Sequence, residues 1–227
     1  YFCTWNLQGY VASYKSTELT RAAMTEDYLF GDGLYQNWVD CYPAIRKDLY
    51  FVMDDSWDIP KDVNDSPNLY LGCVELSSDR FPSFRGDAVE RLKQLSEQIK
   101  SKGWKGVGGW ICAQKAETHA AIPEEEYWKQ RIKAANAAGF DYWKVDWGKE
   151  DRNGEWRRKL TAIGKRYAPH LYIEHALRNE FIEFSDVFRT YDVENITAQP
   201  ITIRRICDLL PYKTVEGAKG IINCEDR

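Results

Sequence analysis

Short apolar runs alternate with longer stretches of helical period along this chain. Leu49 to Asp55 (Leu-Tyr-Phe-Val-Met-Asp-Asp) predicts a strand bounded by polar residues. The same pattern predicts strands over residues 1–9, Lys105 to Cys112, Leu171 to His175, Val187 to Val193 and Ala218 to Cys224, and one ending in Lys144 and Asp146. Between them lie helices with clear punctuation. Asp87 with Glu90 makes a capping box, Val89, Leu92, Leu95 and Ile99 form an apolar stripe, and Gly103 stops the helix. Pro123 opens a helix that ends at Gly139, and further helices are expected over Gly154 to Tyr167 and Thr197 to Leu210. A helical region broken by Gly31 and Gly33 is expected over Thr25 to Lys47, and a long polar connection from Pro60 to Phe81-Pro82.

Strands alternating with helices imply right-handed βαβ units and a parallel sheet. Seven strands in order suggest an α/β fold of the (β/α)₈ TIM-barrel type with its eighth strand missing. Residues 1–227 then form one barrel domain, incomplete at the C-terminus. A doubly wound sheet is the alternative, but it usually carries a Gly-rich phosphate loop after its first strand, and none follows Tyr10.

Composition narrows the function classes. Net charge is -4 and the pI about 5.5, with no basic stripe, so nucleic acid is not an expected partner. No apolar run approaches the ~20 residues of a membrane span. The six cysteines contain no Cys-x-x-Cys pair, which argues against a zinc site. Nine tryptophans serve equally as core or as platforms for sugar rings.

Barrel chemistry sits at the carboxyl ends of the strands. There the sequence offers Trp5, the pair Asp54-Asp55 followed by Trp57, then Trp110, Lys144 with Asp146, Glu174 with His175, and Arg189 with Asp192. Side chains alternate along a strand, so Lys144 and Asp146 share a face. A lysine there would hold the acid ionised, as a covalent glycosidase nucleophile requires. Asp192 is the partner expected to flank the same bond. Carboxyl groups stand ~5–5.5 Å apart in retaining enzymes and ~6.5–9.5 Å apart in inverting ones. His175 is expected to be a structural hydrogen-bonder. Asp146, Glu174 and Asp192 could instead hold Mg²⁺ with Lys144 as base, as in an enolase-like barrel, or the chain could be a non-catalytic sugar-binding barrel.

These motifs together resemble the clan of retaining α-galactosidases that includes glycoside hydrolase families 27 and 36. Phe51-Val52-Met53-Asp54-Asp55-Ser56-Trp57 resembles the clan's second-strand aspartate pair, which binds hydroxyls at C4 and C6 of the terminal sugar. Lys144-Val145-Asp146 resembles its K-x-D motif, whose lysine binds the sugar and whose aspartate is the nucleophile. Ile173-Glu174-His175-Ala176 is similar to the fifth-strand segment near C2. Arg189 to Asp192 resembles the arginine and acid/base pair; the clan usually places four steps between them and here there are three, so Glu194 stands as the alternative acid. Trp5 is similar to the first-strand tryptophan near the sugar. The resemblance implies a retaining α-glycosidase acting on an oligosaccharide or glycoside. In it Asp146 and Asp192 are catalytic, and Trp5, Asp54, Asp55, Lys144, Glu174 and Arg189 are substrate-binding; Trp110, from its place near the end of the third strand, is expected to add stacking surface for the substrate. It implies no metal or organic cofactor, and a secreted, periplasmic or lysosomal location.

Overall fold

A computed structural model describes residues 1–176, 183–189 and 221–222, with the backbone alone at 188, 189, 221 and 222. Its strands are β1 (Phe2–Cys3), β2 (Tyr50–Met53), β3 (Gly106–Ile111), β4 (Tyr142–Val145), β5 (Tyr172–His175), β6 (Val187–Arg189) and β7 (Ile221–Ile222). They pair in parallel and in chain order. A doubly wound sheet reverses its strand order at a switch point. No reversal occurs among the described strands, and the arrangement is that of a TIM-type barrel.

Side-chain contacts require the sheet to curl. Neighbouring strands lie about 4.8 Å apart, so β1 and β4 would be about 14 Å apart if flat. Yet the rings of Tyr1 and Tyr142 stand 5.1 Å apart, and the Tyr1 hydroxyl reaches Glu174 on β5 at 3.5 Å. The two faces of the sheet therefore have different fates. Phe51, Met53, Val107, Ile111, Trp143, Val145 and Ile173 point outward into the main core. They meet helices α4 (Ala88–Ser101), α5 (Glu124–Ala137) and α6 (Gly154–Tyr167), which bring Leu95, Ile132 and Leu160. The inner face is lined by Val52, Tyr142 and Val187, with Tyr1, Tyr50 and Tyr172 packed against them.

Glycines on β3 make this packing possible. A Cβ at Gly108 would fall 2.6 Å from that of Tyr142, so the missing side chain gives the tyrosine its room. On the opposite face, a Cβ at Gly109 would meet the Trp57 ring at 2.8–2.9 Å. Trp57 is fully buried there and donates from Nε1 to the Trp110 carbonyl at 2.8 Å. The capping box at Asp87 and Glu90 forms as the sequence predicts.

Several expectations change. The first strand is only Phe2–Cys3, and from Trp5 the chain is helical (α1, Trp5–Val11). Local hydrogen bonds favour this: Gln8 N–H donates to the Thr4 carbonyl at 2.9 Å, and the buried Gln8 amide donates to the carbonyls of Thr20 and Asp55. The Thr25 to Lys47 region breaks at Gly31 as expected, where α3 (Glu26–Phe30) stops, but beyond it come two 3₁₀ turns (Trp38–Asp40 and Arg46–Asp48) and no α-helix; a short α2 at Thr17–Ala22 precedes it. The connection after β2 is not a solvated loop. Trp57, Ile59, Leu71, Val74, Leu76 and Phe81 are all buried in it. The buried Arg80 binds it to α2, donating to the carbonyls of Ile59, Arg21 and Met24 at 2.7, 3.1 and 3.0 Å. Asp192, Glu194 and the Thr197 to Leu210 helix lie outside the described residues.

Candidate active site

Above the tyrosines the inner face turns polar. Lys144, an inward residue of β4 like Tyr142, is 2% exposed, and its ammonium lies 2.9 Å from Asp54 Oδ2. Asp54 follows β2 directly and is held from several sides. Its N–H donates to Thr4 Oγ1 at 2.8 Å, Oδ1 accepts from Asp55 N–H at 2.8 Å, and the Cys3 thiol donates to Oδ2 at 2.9 Å. The sequence places Lys144 beside Asp146, but the ion pair it makes among the described residues is with Asp54, two strands away. Burial makes the pair costly to break, because removing one partner would leave the other charge uncompensated.

Asp146 is the first residue beyond β4 and is half-buried. Its N–H continues the β3 ladder, donating to the Ile111 carbonyl at 3.0 Å. Its Oδ2 accepts from Trp110 Nε1 at 3.1 Å. Trp110 lies opposite Lys144 in the β3–β4 register, and its ring stands 5.5 Å from that of Trp147.

Asp55 points another way. It is buried, paired to Arg21 Nε at 2.8 Å and bonded by Ser56 Oγ at 3.0 Å. Burial, with Asp54 adding, still outweighs Arg21 and pushes its carboxyl up to about 6. Arg21 is 5.3 Å from the Trp147 ring centroid, so a cation–π contact closes this side. Asp58, one turn of chain further, is also buried. Its Oδ2 accepts from Val74 N–H at 2.8 Å while Oδ1 has no hydrogen-bond partner among the described residues, and burial pushes it up to about 7.

Glu174 lies opposite Lys144 in the β4–β5 register and is fully buried, accepting from the hydroxyls of Tyr142 at 2.7 Å and Tyr1 at 3.5 Å. His175, the next residue, faces outward to α6. Burial and the nearby Arg157 guanidinium hold it well below the usual histidine range, and it bonds Arg157 and Thr161. Trp5 opens α1 and is half-buried. Arg189 ends β6, where its backbone alone is described. The structure thus brings Asp54, Lys144, Glu174, Trp110 and Asp146 to one face and sets Asp55 against Arg21. Among the described residues no three His, Cys, Asp or Glu side chains converge as a metal site, and no helix is long and apolar enough to cross a membrane.

Sequence reasoning passed over Cys3, Arg21 and Arg157. One signal was present for Arg157: it occupies a buried position of α6 alongside Leu160, Thr161 and Gly164, where the helical period calls for an apolar residue.

This fold occurs in known glycosidases. The chain is similar to a GH27 β-L-arabinopyranosidase from Geobacillus stearothermophilus, with a TM-score of 0.62 and 14% identity over 88% of this chain and 57% of that one. It is also similar to α-galactosidase I from Mortierella vinacea, with a TM-score of 0.51 and 18% identity over 86% of this chain and 46% of that one. The chain thus has the fold of the glycoside hydrolase 27 group and spans about half the length of these solved structures. No protein-family model matches it, and neither does any curated protein sequence.

Proposed function

We propose that this chain carries the catalytic face of a retaining α-glycosidase, α-galactosidase-like in the sugar it takes. The observation that carries the reading is the placement of Asp146 just beyond β4, bonded by Trp110, beside the buried Lys144–Asp54 pair. Asp146 attacks the anomeric carbon; its carboxylate oxygen forms the new bond as the glycosidic C–O bond breaks. Asp192, or Glu194 in its place, gives the leaving oxygen a proton and then takes one from the incoming water. Two inversions at one carbon return the original configuration.

For this cycle Asp192 must hold a proton that Asp146 does not. Lys144, Asp54, Asp55, Glu174 and Arg189 bind or orient the sugar hydroxyls, with Trp5 and Trp110 as ring surfaces. The scheme uses no metal or organic cofactor, so activity should persist in EDTA; that would separate it from an Mg²⁺-dependent enolase-like barrel.

An α-D-galactoside and a β-L-arabinopyranoside share their ring configuration and differ at the C5 substituent. Hydrolysis of the two aryl glycosides therefore tests the class and grades the sugar in one assay. Trapping with a fluorinated glycosyl donor and mapping the labelled peptide tests the nucleophile. The label should fall on Asp146, and Asp146→Asn should abolish turnover; a label elsewhere sinks the assignment.

A further inference from the structure

We infer that Arg157 is a positioning residue for Asp146, gripping from behind the backbone that presents the acid. The inference rests on the reading that Asp146 is the reacting carboxylate.

Arg157 comes from the first turns of α6 and is fully buried. Its Nη2 donates to the carbonyl of Asp146 itself at 2.5 Å, and Nη1 donates to the carbonyl of Val145 at 3.0 Å. Its Nε donates to the Asp151 carbonyl at 3.1 Å, where the same loop turns back towards α6. One rigid fork thus fixes the last residue of β4, the reacting residue next to it, and a third point in the loop that follows. A lysine ammonium offers no such planar geometry.

The fork is itself held in place. Nη1 also meets His175 Nδ1 at 3.2 Å, and His175 Nε2 meets Thr161 Oγ1 at 2.8 Å. Thr161 in turn donates to the Arg157 carbonyl at 3.1 Å. An arginine can only donate, so Nδ1 accepts and the imidazole proton sits on Nε2. The ring closes with a neutral histidine, which agrees with His175 being held below its usual range. Among the described residues, the titratable groups facing the guanidinium include Asp146 and Asp151 on the loop, Cys112 beyond β3 and His175 on β5. The two acids attract it, and burial opposes its charge.

Position and charge can be separated by substitution. Arg157→Met removes both. It should lower kcat by about 100-fold, the scale of a misplacement of about 1 Å, with KM little changed. Arg157→Lys keeps the charge and loses the fork, so kcat should fall there too, again with KM little changed. A folded Arg157→Met with the kcat of the parent overturns the inference.

Should Arg157→Met fail to fold, Thr161→Val opens the ring without removing a charge. It should lower kcat several-fold at constant KM, and an unchanged kcat overturns the inference. Donor trapping is run alongside. A label away from Asp146 removes the underlying reading, whereas a label on Asp146 with unaltered Arg157 and Thr161 variants removes only the inference.

Discussion

Lys144 Nζ and Asp54 Oδ2 stand 2.9 Å apart, with side-chain exposures of 2% and 4%. This contact joins β4 to β2 over the intervening β3. Removing one partner leaves the other charge buried. Lys144→Met should therefore destabilise the fold by about 3–5 kcal/mol. The double variant Lys144→Met with Asp54→Asn should lose clearly less than the sum of the single losses. Denaturant unfolding of the three proteins measures this, and strict additivity would show that the pair is not coupled.

Asp58 should tilt the stability of the protein with pH. An unfolded aspartate ionises near pH ~3.9, while burial holds Asp58 protonated to about 7. Between those values the folded chain binds more protons than the unfolded one, so this group makes stability fall as pH rises from about 4 to about 7. Asp58→Asn cannot ionise. Its stability relative to the parent should improve by roughly 2–3 kcal/mol between pH 5 and pH 8. Urea unfolding at both pH values gives the difference; a gap that does not change with pH contradicts the prediction.

Trp110→Phe keeps a ring beside Trp147 and removes the N–H donor to Asp146. A hydrogen bond to a charged group contributes about 1.5–3 kcal/mol. On the proposed mechanism kcat/KM should fall by roughly 10- to 100-fold. Steady-state kinetics measures it, and a parental kcat/KM contradicts the prediction.

Gly109→Ala should disturb the site from a distance. The new methyl would push against the Trp57 indole, whose N–H is tied to the Trp110 carbonyl. Overpacking of this kind costs typically 1–3 kcal/mol. The melting temperature should drop, and activity should drop with it because Trp110 carries the donor to Asp146. A variant with parental stability would mean that Trp57 moves aside without strain.

The parts legible in the sequence were those written in local periodicity. The capping box at Asp87, the helix at Gly154–Tyr167 and the apolar strands around Phe51 and Trp143 all lie where pattern and punctuation place them. The inner location of Lys144, Glu174 and Trp110 also follows from alternation along strands. Partners separated by whole βαβ units were not legible. The period of β4 shows that Lys144 and Asp146 share a face, but strand curvature decides that the ammonium reaches Asp54. The segment after β2 misled because its polar residues are spent inward: Arg80 saturates backbone carbonyls, and Asp58 accepts from Val74. The first strand misled because one Thr4 hydroxyl and one Gln8 amide, both buried, help turn the chain into a helix from Trp5, in the middle of the 1–9 stretch that reads as strand.

The tyrosines of the inner face have a consequence for traffic. Tyr1, Tyr50, Tyr142 and Tyr172 meet ring against ring beneath the Lys144–Asp54 layer. On the described side they close the layer below with aromatic rings. On the proposed reading, a sugar resting on the polar layer meets these rings beneath it, so on that side it would enter and leave past the carboxyl ends of the strands, and product and the next substrate would take turns.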